Sequence, residues 1–125
     1  MKFTELLAYK KAFQLAMEIF EVSKTFPKEE RYALTDQIRR SSRSPCAQIA
    51  EAYRKRQYPK HYSSKLSDGD AENAETQVWL AFAYACKYLE RRKYIHLHGL
   101  SLEVGSLIGN MMRNPKRFGV KTVSS

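Results

Sequence analysis

Val78-Trp79-Leu80-Ala81-Phe82-Ala83-Tyr84-Ala85-Cys86-Lys87-Tyr88-Leu89 is apolar at nearly every position. Its uninterrupted part, Val78 to Cys86, is far shorter than the roughly 20 residues that span a bilayer. Read as a helix of a soluble protein, the stretch is apolar all round, and such a helix must be covered on every side. In a domain of four helices that cover comes most easily from a second subunit, so the stretch predicts a homo-oligomer.

Working outward, the preceding residues are polar (Ser63, Ser64, Lys65, Ser67, Asp68, Asp70, Glu72, Asn73, Glu75) and complete one long helix over about 60–91. Tyr58-Pro59 marks the turn before it. Downstream, Leu97, Leu100, Val104, Leu107, Ile108, Met111 and Met112 recur at steps of three and four, predicting a helix over about 94–113 that Asn114-Pro115 ends. Upstream, Leu34, Ile38, Ser42, Pro45, Ile49 and Tyr53 form the inward stripe of a helix over about 29–57. Its start is acidic, at Glu29-Glu30 or Thr35-Asp36, and Pro45 in its middle predicts a kink, not a break. Over about 4–25 two stripes run side by side, Leu6-Tyr9-Phe13-Ala16-Phe20 and Ala12-Leu15-Ile19-Val22-Phe26. Phe26-Pro27 stops that helix, because the residue before a proline avoids the α region.

Four long helices, short connections and no strand-like alternation argue for an all-α fold, an antiparallel up-and-down four-helix bundle. The chain has 125 residues, enough for one domain that buries roughly two-thirds of its unfolded surface. We therefore expect a single domain over 1–125, its last part a basic tail over 114–125.

The N-terminus, Met1-Lys2-Phe3-Thr4-Glu5, is charged too early to form the apolar core of a signal peptide. Cys46 and Cys86 form no CxxC pair and sit among apolar neighbours, as expected of buried, reduced thiols in a cytoplasmic protein. Nothing predicts a membrane segment.

Catalytic chemistry is missing. Bundles hold di-iron sites with Glu-x-x-His pairs, but Tyr58, Lys93 and Ile95 stand three residues before His61, His96 and His98. His96-x-His98 lacks the i, i+4 spacing that aims two ligands from one helix face. No phosphate loop, G-x-S-x-G or H-E-x-x-H occurs. Glu72 and Glu75, three apart, are expected on a solvated face or in a helix-to-helix salt bridge rather than as an acid–base pair. The sequence predicts no catalytic residues, no metal site and no cofactor, hence no enzyme.

Charge is the positive signal. The chain carries 22 Lys and Arg against 13 Asp and Glu, a net +9. Residues 1–30 are neutral, 31–65 carry nine cations and two acids, 66–90 one and five, and 91–125 seven and one. Arg39 and Arg43 share a helix face, with Arg40 beside them. The end of the same helix reads Tyr53-Arg54-Lys55-Arg56-Gln57-Tyr58-Pro59-Lys60-His61-Tyr62. Cations neutralise phosphates with counterion release, and tyrosine rings offer faces for exposed bases. Arg39, Arg40, Arg43, Arg54, Lys55, Arg56 and Lys60 are thus candidate phosphate contacts for RNA or DNA, and Tyr53, Tyr58 or Tyr62 candidate stacking platforms. The competing reading pairs Arg40 with Asp36 and Lys55 with Glu51 as i, i+4 neighbours. It also sets the cations against the acidic segment 66–90, and Arg91 and Arg92 at the negative end of a helix dipole.

Phe26-Pro27-Lys28-Glu29-Glu30-Arg31-Tyr32-Ala33-Leu34-Thr35-Asp36-Gln37-Ile38-Arg39-Arg40-Ser41-Ser42 resembles the hallmark of the bacterial four-helix proteins found as reading frames inside intervening sequences of 23S ribosomal RNA genes. Gln48-Ile49-Ala50-Glu51 is similar to that family's Asn-Ile-Ala-Glu-Gly, with Gln48 and Ala52 in place of Asn and Gly. Gly69 and Glu75-Thr76-Gln77 look like its third-helix motif, with Asp70 and Asn73 where Ser and Glu are common. The resemblance spans about residues 5–113. It implies a homopentameric ring and no established enzymatic activity. It also implies kinship with the accessory variability protein of diversity-generating retroelements, which binds nucleic acid and a reverse transcriptase. The rival expectation to nucleic-acid binding is therefore a protein-interaction scaffold docking a partner such as a reverse transcriptase.

Overall fold

The computed structural model describes residues 1–121 and contains four long helices and no strand among them. They are α1 (Leu7–Ser23), α2 (Asp36–Arg54), α3 (Pro59–Ala85) and α4 (Arg91–Arg113). Short 3-10 turns cover Phe3–Glu5, Lys28–Glu30 and Pro115–Phe118, and a wider π turn over Arg31–Thr35 leads into α2.

The ends of these helices correct several expected bounds. Of the two acidic starts, Thr35-Asp36 is the one used: α2 begins at Asp36, because the chain first winds through the 3-10 and π turns over 28–35. It stops at Arg54 rather than near 57, where Lys55 leaves helical geometry and accepts a turn hydrogen bond from the Tyr58 amide at 2.9 Å. α2 runs through Pro45 as one helix. α3 opens with Pro59 in its first turn, where a missing amide proton costs nothing.

α3 ends at Ala85, well short of 91. Lys87 adopts a left-handed conformation (φ 65°), the Lys87 amide donates to the Tyr84 carbonyl at 3.0 Å, and the Tyr88 amide donates to Ala83 at 2.8 Å. That pair of bonds is a Schellman cap, with lysine where glycine is usual. α4 then begins at Arg91 rather than 94, after the extended Glu90.

α1 packs on α2 and α4, and α3 packs on the same two helices. Between them lie the fully buried Leu15, Ile19, Ile38, Ile49, Leu66, Leu80, Leu97, Val104, Ile108 and Met111, each burial worth about 1.5–3 kcal/mol. The inward stripe read for the second helix, Leu34 to Tyr53, is buried throughout. Most buried polar side chains are paired, as burial requires; Gln48 Oε1 and His98 Nδ1 are the exceptions among the described residues. Asn73 Nδ2 donates to the Ser101 carbonyl and Ser101 Oγ donates to Asn73 Oδ1, both at 2.9 Å. Thr76 Oγ1 donates to Ser41 Oγ at 2.9 Å, joining α3 to α2.

The apolar half of α3 is covered on one side only. Leu80 and Ala83 face the core, whereas Val78 (49 %) and Phe82 (54 %) are open to solvent. Leu7, Phe13 and Met17 of α1 and Ile95 and Leu102 of α4 are similarly exposed. The thiols depart from expectation: Cys46 is half-buried, and Cys86, capping α3 on its outer side, is exposed. Burial lifts the Cys46 thiol to about 11. No described helix is long and apolar enough to cross a membrane.

Candidate nucleic-acid interface

The fold joins basic segments that are far apart in sequence. Tyr62 Oη donates to the Met111 carbonyl at 2.9 Å, setting the start of α3 against the end of α4. Arg56 Nη1 donates to the Phe118 carbonyl at 3.3 Å, and the Lys121 amide returns a bond to the Arg56 carbonyl at 3.3 Å. Tyr53 Oη, 3.4 Å from the Met1 carbonyl, brings in the N-terminus. Segments 1–6, 53–62 and 113–121 therefore share one end of the molecule. They carry nine Lys and Arg and a single acid, Glu5.

The named residues at this end divide by what they already hold. Arg54, Lys55 and Lys60 are exposed and make no side-chain hydrogen bond or ion pair with the described residues. Lys55 Nζ lies 5.7 Å from the ring centre of Tyr58, which is half exposed and beside His61. Arg56 is a clamp: besides Phe118 its Nε donates to the Tyr53 carbonyl at 2.7 Å, and the guanidinium covers the Tyr53 ring at 3.7 Å. Tyr53 (6 % exposed) and Tyr62 (1 % exposed) are core residues whose faces are closed to a base. Burial pushes the Tyr62 hydroxyl up to about 12, keeping it a proton donor to Met111. Of the three tyrosines, Tyr58 alone presents an open ring.

Arg39, Arg40 and Arg43 lie elsewhere, along the first half of α2. Arg40 bridges to α3, donating from Nη1 to Glu72 at 3.0 Å and from Nη2 to Glu75. The Arg40 guanidinium holds the Glu75 carboxyl below its ordinary value. The partners anticipated from spacing were different: Arg40 reaches across to α3 rather than back to Asp36, and Glu51 pairs with Lys65 at 3.2 Å rather than with Lys55. Arg39 donates from Nε to Ser23 Oγ at 2.8 Å and lies 5.0 Å from the Phe20 ring, with Arg43 at 5.6 Å and Lys24 at 4.7 Å. Arg39, Arg40 and Arg43, together with Asp36, edge a shallow groove of about 630 Å³ on the α2 surface.

Arg91 and Arg92 sit at the N-terminal, positive end of α4, not at the negative end of a helix dipole. At that end of the molecule acids are interspersed: Glu18 Oε1 lies 2.7 Å from His96 Nε2, and Tyr88 Oη donates to Glu30 at 2.9 Å. Burial pulls the Glu18 carboxyl upward, but bonds from Gln14 and His96 outweigh it and the net shift is downward.

Pairing with acids accounts for few of the cations. Of 22 Lys and Arg, only Lys11, Lys24, Arg40 and Lys65 stand in ion pairs among the described residues. Lys2, Lys116, Arg117 and Lys121 were not among the candidate contacts, yet they join Arg54 and Lys60 in space. The signal was available: an up-and-down order puts the first helix's start, the second's end, the third's start and the fourth's end together. Of the expected tail 114–125, residues 115–118 form a 3-10 turn and Val120 is buried, while 122–125 lie outside the described residues. Among the described residues no group of three or more His, Cys, Asp or Glu is placed to hold a metal ion.

The sequence model of the family described as "23S rRNA-intervening sequence protein" matches residues 4–110. A crystal structure of a protein of unknown function from the S23 ribosomal protein family of Bacteroides thetaiotaomicron superposes with a TM-score of 0.79 at 26 % identity. That likeness covers 90 % of this chain and 99 % of the other. No curated protein matches the chain.

Proposed function

We propose, from the premise that the chain belongs to the 23S rRNA-intervening sequence protein family, that it is a non-enzymatic nucleic-acid-binding protein. RNA ranks ahead of DNA, contacted through phosphates with little regard to sequence. One observation carries this: three chain-distant segments gather nine cations and one acid at a single end. Electrostatic binding needs just such a patch of unneutralised charge. Arg54, Lys55 and Lys60 supply the contacts from the original candidates, Tyr58 the stacking surface, and Arg56 positions the others. Arg39 and Arg43 form a second, separate contact region, and Arg40 serves the fold. Filter binding with single-stranded RNA and with duplex DNA tests the proposal. Retention that weakens as salt rises supports it, and no retention of either at low salt contradicts it.

The working assembly in this reading is cytoplasmic, an antiparallel up-and-down bundle repeated in a homopentameric ring. The cross-helix pairs Thr76–Ser41, Asn73–Ser101 and Tyr62–Met111 support the antiparallel order. Exposed Phe13, Met17, Val78, Phe82, Ile95 and Leu102 support cover by neighbouring copies. Native mass spectrometry giving a monomer would contradict the ring. The same apolar surface favours a second reading, a scaffold that docks a partner protein such as a reverse transcriptase. Stoichiometric co-purification of one protein, surviving nuclease, would favour that reading.

A further inference from the structure

Two recesses at the basic end share a wall. One, of about 440 Å³, lies between the end of α2 and the C-terminal turn and is lined by Tyr53, Arg54, Arg56, Gln57, Gly119 and Lys121. The other, of about 250 Å³, adjoins it at Tyr53, Arg54 and Arg56 and is bounded by Met1 to Thr4, which brings in Lys2. No Asp or Glu lines either recess.

The four cations are not equivalent. Arg56 is fixed by its bonds to the Tyr53 and Phe118 carbonyls and by the Tyr53 ring beneath it. Those bonds use Nε and Nη1 and leave Nη2 without a partner among the described residues. Gly119 (φ 83°) lets the turn close on this guanidinium: a Cβ there would stand 2.9 Å from Arg56 Nη1. Arg54, Lys121 and Lys2 are exposed around it and make no side-chain ion pair with the described residues.

We infer that this recess takes the terminal phosphomonoester of a nucleic-acid strand, an inference that rests on the nucleic-acid reading above. A terminal phosphate carries a charge of about −1.5 to −2 and three acceptor oxygens, whereas an internal diester carries one charge and two free oxygens. Four cations against one neighbouring carboxylate, Glu5, whose Oε2 accepts from the Lys2 amide at 2.8 Å, favour the more highly charged group. A concave site favours an end as well, because an internal phosphate must leave room for chain on both sides. A charged guanidinium donor suits phosphate oxygens, and Arg56, held through Nε and Nη1, presents Nη2 already immobilised.

Fluorescence anisotropy with one short RNA sequence, ending in a 5′-phosphate, a 3′-phosphate or hydroxyls only, tests the assignment. The wild-type protein is expected to bind a phosphate-ended strand about tenfold more tightly than the hydroxyl-ended one. Arg54→Ala and Lys121→Ala should shrink that ratio to about twofold or less. Lys55→Ala, which lies outside the recess, should weaken all strands alike and keep the ratio. Unchanged circular dichroism melting of the variants separates lost contacts from lost fold. Salt-sensitive binding of all three strands with equal affinity overturns the terminal-phosphate inference and leaves the general reading standing. Failure to bind any of them overturns both.

Discussion

Arg56 donates from Nη1 to the carbonyl of Phe118 at 3.3 Å, tying the end of α2 to a turn 62 residues further along the chain. Its guanidinium also covers the Tyr53 ring at 3.7 Å. The residue is a staple within the basic end, and the charge beside it, Arg54, is free. Arg56→Ala should cost about 2 kcal/mol in urea unfolding, from lost charged hydrogen bonds and a cation–π contact. It should also speed amide exchange at residues 116–121. Arg54→Ala should change stability by less than about 0.5 kcal/mol. Equal costs for the two variants would contradict the division of roles.

Gly69 and Gly99 predict opposite outcomes for the same substitution. A Cβ at Gly69 would stand 3.2 Å from Gln48 Cβ, an atom close to the α2 backbone that cannot swing aside. A Cβ at Gly99 meets nothing within 4 Å. Gly99→Ala should stabilise by up to about 1 kcal/mol through helix propensity. Gly69→Ala should destabilise despite the same propensity gain, because α2 and α3 must separate. Thermal melts of the two variants decide it.

Lys87 holds the left-handed position that ends α3. A side chain there is strained by about 1 kcal/mol, partly offset by glycine's greater unfolded-state entropy. Lys87→Gly should raise stability by about 0.5 kcal/mol. A loss of stability on chemical denaturation would mean that the lysine side chain has a role the cap does not explain.

Acid should weaken the contact between α2 and α3. The Glu75 carboxyl is held down first by the hydrogen bond from Arg40, against an opposing pull from burial. Its folded pKa lies below the unfolded one, so the unfolded chain binds more protons and stability rises with pH. The contribution is complete above the ordinary carboxylate value of 4.5 and is lost as pH falls through the lower, folded value. Glu75→Gln should therefore be less stable than wild type at neutral pH and should lose less stability on acidification. Urea unfolding at pH 7 and below pH 4 measures the difference.

How much was legible follows from where the signal lay. The inward face of α2 was readable because Leu34, Ile38, Ile49 and Tyr53 keep helical spacing, and the fold buries each. That spacing also placed Tyr53 inward, and it outweighs the basic neighbours that suggested a stacking role. The end of α3 was not readable, because a lysine in left-handed geometry looks like any other lysine in a charged turn. The helix-to-helix salt bridge expected of Glu72 and Glu75 is there, but i, i+4 spacing, which sees only one helix, gave Arg40 to Asp36 instead of to these two acids of α3. The basic end was legible only by combining charge with the up-and-down order. Charge counted along the chain alone separates residues 31–65 from 91–125, whereas the helix order brings the close of each to the same place.

The most direct test is the salt dependence of single-stranded RNA affinity for the wild type and for the combined Arg54→Ala, Lys55→Ala, Lys60→Ala variant. If these side chains neutralise phosphates, log K falls linearly with log salt, by about 0.7 per contact. The variant should then lose about 2 units of slope, as well as affinity at low salt. A slope identical in the two proteins, or wild-type binding indifferent to salt, would contradict the assignment of nucleic-acid contact to this end of the molecule.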